Sequence, residues 1–225
     1  MLHVLYEDNH LIAVDKPAGL PTMGVTADRP SLVTLVKEYL KRKYHKPGNV
    51  YLGVVSRLDA PVSGVVVFAR TSKAARRLNE QFRQREVEKS YLAVVEGVIE
   101  PPQGVCTQQI ARDERHQRMQ VVEAGQADAK EARLSYRRIA TARGKSLLAV
   151  ELETGRKHQI RLQLSERGHP ILGDRKYGSA QAFPAGIALH ARRLVIAHPV
   201  TQQPLEFCAP PPAAWKKLGL PMTPS

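Results

Sequence analysis

The sequence predicts a mixed α+β domain with many short strands and few helices, built on a large, mainly antiparallel sheet. Two patterns carry this expectation. Short apolar runs recur along the chain, and Glu131 to Arg138 alternates Ala132, Leu134 and Tyr136 with Arg133, Ser135 and Arg137, as in a strand with one face solvated. Helical patterns are scarce and do not alternate regularly with the strands, as a doubly wound sheet would require.

Leu2 to Tyr6 and Leu11 to Asp15 are apolar runs joined by Glu7-Asp8-Asn9-His10, which predicts a hairpin. Lys16-Pro17-Ala18-Gly19 breaks the second strand, and a loop rich in Pro, Gly and Thr leads to Ser31. Ser31 suits the N-cap of a helix with Leu32, Leu35, Val36, Tyr39 and Leu40 on one face and Lys37, Lys41, Arg42 and Lys43 on the other. Pro47-Gly48-Asn49 ends that helix. Val50 to Val55 and Val65 to Ala69 read as strands buried on both faces. The Ser56 to Gly64 segment between them, with its Pro61 and Gly64, is irregular.

Thr71 or Ser72 caps a second helix that buries Ala75, Leu78 and Phe82 and exposes Arg76, Arg77, Arg83 and Arg85. Strands are expected at Lys89 to Val98, Glu131 to Arg138, Ser146 to Leu152, Ala188 to Ala197 and Leu205 to Ala209, with a helix over Gln159 to Arg167 that stops at Gly168. One domain over residues 1–212 is expected, followed by a short tail, 213–225.

The chain has 225 residues, 43% of them hydrophobic, enough for a buried core rather than a disordered chain. No apolar stretch is long enough to cross a bilayer and the N-terminus does not resemble a signal peptide, so a soluble cytoplasmic protein is expected. Cys106 and Cys208 lack metal-ligand spacing and read as ordinary buried thiols, which leaves no metal site. The 34 Lys+Arg against 21 Asp+Glu give a net charge of +13. Such a surplus suits a polyanionic partner, because cations that neutralise phosphates release counterions, but it also fits a merely well-solvated surface.

Four segments can carry chemistry. In Arg57-Leu58-Asp59, an aspartate beside an arginine on an irregular turn can serve as nucleophile or general base, or can simply bond turn amides while Arg57 sits in solvent. Tyr91, on the same side of its strand as Ala93, offers a ring that stacks on a base or packs in a core. Glu153 to Arg161 places Arg156, Lys157, His158 and Arg161 near a helix start, where an anion or plain solvation would suit them. Pro170 to Gly178 reads as a packed, glycine-punctuated turn. No Walker or dinucleotide glycine loop and no Gly-x-Ser-x-Gly elbow is present.

Five pieces, in this order, resemble the RluA-type pseudouridine synthase family: Leu11 to Gly19, Arg57-Leu58-Asp59 followed by Ser63-Gly64, Lys89-x-Tyr91-x-Ala93, Thr154 to Arg161, and Pro170 to Asp174. The resemblance runs from Val4 to about Pro210. It implies a pseudouridine synthase catalytic fold and a monomeric isomerase that converts specific uridines of tRNA or rRNA to pseudouridine without a cofactor; because the first expected strand begins almost at Met1, the N-terminal accessory RNA-binding domain that many relatives carry is not expected. It further implies that Asp59 is catalytic and pairs with Arg161. Arg57 helps extrude the target nucleotide or takes its place in the stack, and Tyr91 stacks on the uracil. RNA, with no membrane and no small-molecule cofactor, is the implied partner. The exposed basic faces at Lys37 to Lys46 and Arg76 to Arg85, with Arg112 to Arg118, are then expected to grip it. Ser56, Val62 and Gln163 depart from the family's usual His, Thr and His. The alternatives are an RNA-binding protein on the same scaffold that these departures have silenced and, last, a glycosidic-bond hydrolase, which ordinarily needs a second carboxylate.

Overall fold

Asp8 fixes the first turn: its Oδ1 accepts the backbone N–H groups of His10 and Leu11 at 2.7 and 2.8 Å. The antiparallel hairpin of β1 (His3–Glu7) and β2 (Leu11–Lys16) follows, as the turn residues predict. The computed structural model describes residues 2–24, 29–126, 128–184 and 186–221. They divide into two units, Met1–Glu88 with Ala191–Pro210 and Lys89–His190 with Pro211–Ser225.

In the first unit β2 pairs antiparallel with β4 (Ser63–Ala69), every residue of which is buried. Alternation sends Leu11, Ala13, Val65, Val67 and Ala69 to one face, where they pack with Ala74, Ala75 and Leu78 of α2 (Ser72–Gln84). Ile12, Val14, Val66 and Phe68 take the opposite face, against Leu32, Val36 and Leu40 of α1 (Leu32–Lys43). Two covered faces are the reason these strands read as continuous apolar runs. Ser31 caps α1 in a capping box with Thr34, and Thr71, rather than Ser72, caps α2. Arg77 is half-buried, not exposed as expected, because its guanidinium donates to the Pro199 carbonyl at 2.6 Å.

The strand expected over Val50 to Val55 shrinks to β3 (Gly53–Val54), which pairs with β4 only at Ala69 and Phe68. The cause is Ser56: its hydroxyl accepts the Val67 N–H at 3.0 Å and donates to the Val67 carbonyl at 3.2 Å, so a side chain replaces the next rung of the ladder and the chain turns away.

Opposite its partner β2, β4 neighbours β10 (Leu189–Ala197), which carries β11 (Pro204–Cys208). Along β11 Phe207 points inward while Glu206 and Cys208 point out, so Cys208 is exposed and only Cys106 is the expected buried thiol. Gly64 has φ +115° and sits against the Ala191 backbone; a Cβ there would lie 2.7 Å from the Ala191 nitrogen and overlap its carbonyl oxygen. That close approach explains the glycine after Ser63.

The second unit orders its strands β5 (Glu88–Glu96), β9 (Lys145–Leu152), β8 (Lys130–Ala142), β6 (Gln103–Asp113) and β7 (Arg118–Val122), each antiparallel to its neighbour. Ala132, Leu134 and Tyr136 are buried as their alternation predicts. Arg112 and Asp113 end β6 and Arg118 begins β7, so the expected basic loop is a hairpin tip. Leu162 of α3 (Gln159–Glu166) packs with Ile110, Ala132 and Tyr177. The expected tail carries a 3-10 helix, Ala213–Leu218, whose Trp215 is buried against Phe183 and His190; residues 222–225 lie outside the described residues.

Gly64→Ala is expected to destabilise the protein by roughly 3 kcal/mol through left-handed strain and backbone overlap. Urea denaturation checks this, and an unchanged midpoint would contradict the close packing of β4 on β10.

Candidate active site

Arg57, Leu58 and Asp59 lie in the irregular segment between β3 and β4, and each side of that segment is held from elsewhere in the first unit. Thr22, itself buried, donates its hydroxyl to the Leu58 carbonyl at 2.8 Å and accepts the Leu58 N–H at 3.2 Å. The Ala60 carbonyl accepts the Gly19 N–H at 2.8 Å and the Lys16 ammonium at 3.1 Å. The Asp59 carbonyl accepts the Val62 N–H, which closes the turn. Asp59 is half-buried and Arg57 is exposed.

Lys16 is fully buried. Its ammonium also donates to the carbonyls of Pro17 at 3.0 Å and Leu20 at 2.7 Å. Burial pushes its pKa down to about 8, against the opposing pull of the Asp59 and Asp15 carboxylates. Lys16 lies within the Leu11 to Gly19 motif, and the sequence alone assigns it no role.

In the second unit Tyr91 is half-buried on β5, opposite Val150, and its same-side neighbour Ala93 is fully buried. Arg161 projects from α3 into the interior and is only 5% exposed. Asp174, 1% exposed, holds it bidentately: Arg161 Nε donates to Oδ2 at 2.6 Å and Nη2 to Oδ1 at 2.8 Å. The Tyr177 ring lies 5.0 Å from the guanidinium carbon. Sequence reasoning missed Asp174, which sits within the turn expected to be merely packed. That turn is indeed packed, with Ile171 and Leu172 buried, but nothing local distinguishes its aspartate as an arginine partner.

The cations expected near the helix start go to different partners. Arg156 Nε donates to the Glu131 carbonyl at 3.0 Å, Lys157 is exposed and Arg161 turns inward to Asp174. The start of α3 is tied down by Gln159, whose Oε1 accepts the Arg156 N–H and the Thr154 hydroxyl and whose Nε2 donates to the Arg133 carbonyl. Gln163 is fully buried and donates to the Cys106 and Ala132 carbonyls at 3.2 and 3.1 Å. Among the described residues no group of three or more His, Cys, Asp or Glu side chains is placed to hold a metal ion, and no helix is long and apolar enough to cross a membrane.

A family model described as RNA pseudouridylate synthase matches residues 10–166. The ribosomal large subunit pseudouridine synthase D of Xanthomonas campestris is 38% identical over 231 aligned residues, covering 96% of this chain and 68% of that protein. The dual-specificity RNA pseudouridine synthase RluA of Haemophilus influenzae is 36% identical, with 92% of each chain covered. Among solved structures, human RNA pseudouridylate synthase domain containing 4 matches with a TM-score of 0.80 at 26% identity, over 98% of this chain and 94% of that one.

Two outcomes follow from the buried cations. Asp174→Ala removes the bidentate carboxylate from the buried Arg161 guanidinium and is expected to lower stability by about 3–5 kcal/mol, measured by urea denaturation. For Lys16, the unfolded chain binds more protons than the folded one between its folded and unfolded pKa values, so stability rises with pH over that span. Relative to Lys16→Met, the native protein should gain on the order of 2 kcal/mol between about pH 7 and about pH 9.5. A pH-independent difference would argue against the lowered pKa of Lys16 in the folded state.

Proposed function

We propose that Asp59 is the catalytic residue of this chain, which belongs to the RNA pseudouridylate synthase family. The chain is an isomerase that converts uridine in RNA to pseudouridine. We further propose that Arg57, Tyr91 and Arg161 bind the target nucleotide, that tRNA or rRNA is the substrate, and that the protein works as a cytoplasmic monomer.

The observation that best supports Asp59 is the way its loop is built. The Lys16 ammonium, the Gly19 N–H and the Thr22 hydroxyl all bind carbonyls of the residues on either side of Asp59. The loop thus keeps one conformation although it belongs to no helix or strand. A rigid, half-buried carboxylate suits covalent or general-base chemistry, because the geometry of attack is fixed before the substrate arrives.

The isomerisation breaks the N1–C1′ bond and joins C5 to the same sugar carbon, while C5 gives up its hydrogen and N1 acquires one. No electrons leave or enter. A carboxylate that attacks C1′ or C6 of the ring, or takes a sugar proton, suffices, together with a site that holds the detached base as it turns. A stacked uridine must first leave its stack, at a few kcal/mol, and a side chain is needed in its place. Arg57, exposed on the same loop, has the length, plane and charge for that role. Tyr91 offers its ring to the uracil. Arg161, held by Asp174, presents a fixed positive charge suited to stabilising a carboxylate.

The three departures from the family pattern have structural tasks. Ser56 closes the Val67 rung, Val62 is buried and Gln163 bridges two carbonyls. None of them substitutes for the aspartate, so they do not favour a silent RNA-binding protein.

The test is tritium release from total cellular RNA carrying 5-tritiated uridine. The native protein should release tritium, while Asp59→Ala should lose activity by about 10⁴-fold or more, as loss of a covalent catalyst does. Release by Asp59→Ala at the native rate would reject Asp59, and free uracil among the products would indicate a hydrolase.

A further inference from the structure

Residues 174–177, which end in the 3-10 turn Arg175–Tyr177, touch two features of the second unit, the buried Arg161 and the β6–β7 hairpin. On one side Asp174 grips Arg161 and the Tyr177 ring lies against its guanidinium. On the other side the turn holds the β6–β7 hairpin near its tip. The Tyr177 hydroxyl accepts the Met119 N–H at 2.9 Å, and the Lys176 ammonium donates to the Gln117 carbonyl at 3.0 Å. Met119 is paired with Arg112 across the hairpin, directly below the tip.

The same hydroxyl lies 2.9 Å from Nδ1 of His158, the residue before α3. Ser165, later in α3, donates to the Tyr177 carbonyl at 2.6 Å. Tyr177 is 4% exposed and packs with Ile110, Ala132, Leu162 and Met119. Packing alone would accept a phenylalanine. The hydroxyl adds a link from the hairpin to the start of the helix that carries Arg161.

The hairpin tip exposes Arg112, Arg115 and Arg118. Arg112 pairs with Glu114 at 3.1 Å, and Asp113 accepts from His116 and lies 3.6 Å from Arg118. The backbone N–H of His116 heads the contacts that hold the Asp113 carboxyl below its usual range. RNA phosphates that engage Arg118 compete with its pairing to Asp113, which is weak enough to exchange, and Arg115 is exposed on the same tip.

We propose that Tyr177 is a positioning residue that couples RNA contact at the β6–β7 hairpin tip to the placement of Arg161. The proposal rests on the reading of Arg161 as a nucleotide-binding residue of a pseudouridine synthase. RNA held by the tip shifts Met119, the Tyr177 hydroxyl follows, and the ring and the His158 end of α3 carry the displacement to the guanidinium. A uridine in RNA that does not engage the tip meets Arg161 in its unloaded position.

The test is a mutant cycle read by single-turnover tritium release from total tRNA and ribosomal RNA labelled with 5-tritiated uridine. Arg115→Ala with Arg118→Ala should raise the RNA concentration needed for half-saturation and also lower the saturating rate about tenfold, as Tyr177→Phe alone should. In the combined variant the saturating rate should be no lower than in Tyr177→Phe, because the link is already cut. A purely structural Tyr177 predicts that the losses multiply, to about 100-fold. That result, or a hairpin variant with an unchanged saturating rate, overturns the coupling. Lys176→Ala removes the second tie from the surface and should likewise reduce the hairpin variant's effect on the saturating rate, which keeps the question decidable if Tyr177→Phe fails to fold. Native activity that depends on Asp59 but shows multiplying losses rejects the coupling alone. Absence of native tritium release from any RNA rejects the pseudouridine synthase reading and the coupling with it.

Discussion

A lysine ammonium with no exposed surface, bound to the carbonyls of Pro17, Leu20 and Ala60, holds together two loops that are far apart in sequence. Loops made of Pro, Gly and Ala have little side-chain packing to define them, and their backbone groups must find partners outside any helix or strand. One ammonium supplies three donors from a single point, and a neutral side chain of similar length would not. The depressed pKa of Lys16 shows that burying this charge is unfavourable in itself. The three carbonyl dipoles and the nearby carboxylates of Asp59 and Asp15 offset the penalty. The Asp59 turn therefore depends on Lys16 for its shape, and Lys16 depends partly on Asp59 for its charge.

The second unit uses the same principle with opposite partners. Arg161 is buried with Asp174, both orientations of the guanidinium fork are fixed by two bonds, and the Tyr177 ring covers it. An apolar pair of equal volume would fill the space at no greater loss of stability, so the value of the ion pair lies in orientation. Gln163 follows suit two residues on, donating to two strand carbonyls in the core although its Oε1 has no partner among the described residues.

The strands and helices were legible wherever one covalent segment carried its own signal. The Asp8 turn, the Ser31 and Thr71 caps and the alternation of Ala132, Leu134 and Tyr136 are local, and the structure follows them. Strands β6 and β7 were illegible because Gln103–Asp113 has few apolar residues and Val105, one of them, faces solvent. The ladder with β8 makes that segment a strand, and pairing leaves no mark on the segment itself. The site shows the same division. Asp59, Arg57, Tyr91 and Arg161 stood out as residues, but the supports that define them did not. Lys16 bonds to a carbonyl 44 residues away and Asp174 to an arginine 13 residues earlier. Both are tertiary facts, and composition or periodicity carries no trace of either.

The surplus of +13 charges looks different once the cations have partners. Lys16 and Arg161 are buried, Arg70 pairs with Glu7, Arg138 with Glu100, and Arg193 with both Glu88 and Glu206. Arg77 is committed to the Pro199 carbonyl. These cations shape the protein and have little left to offer a phosphate backbone. A long-range field is carried instead by exposed side chains: Lys37, Lys41, Arg42 and Lys46 on or beside α1, and Lys73, Arg76 and Arg85 on or beside α2. Exposed charges act through solvent and weaken within about 10 Å at ordinary salt, so under the proposed function they suit gathering and steering RNA rather than selecting a uridine. Selection requires groups fixed in one orientation. The cations most firmly fixed here are the two that are buried, and those are the ones that contribute least to the surface charge by which a polyanion was first inferred.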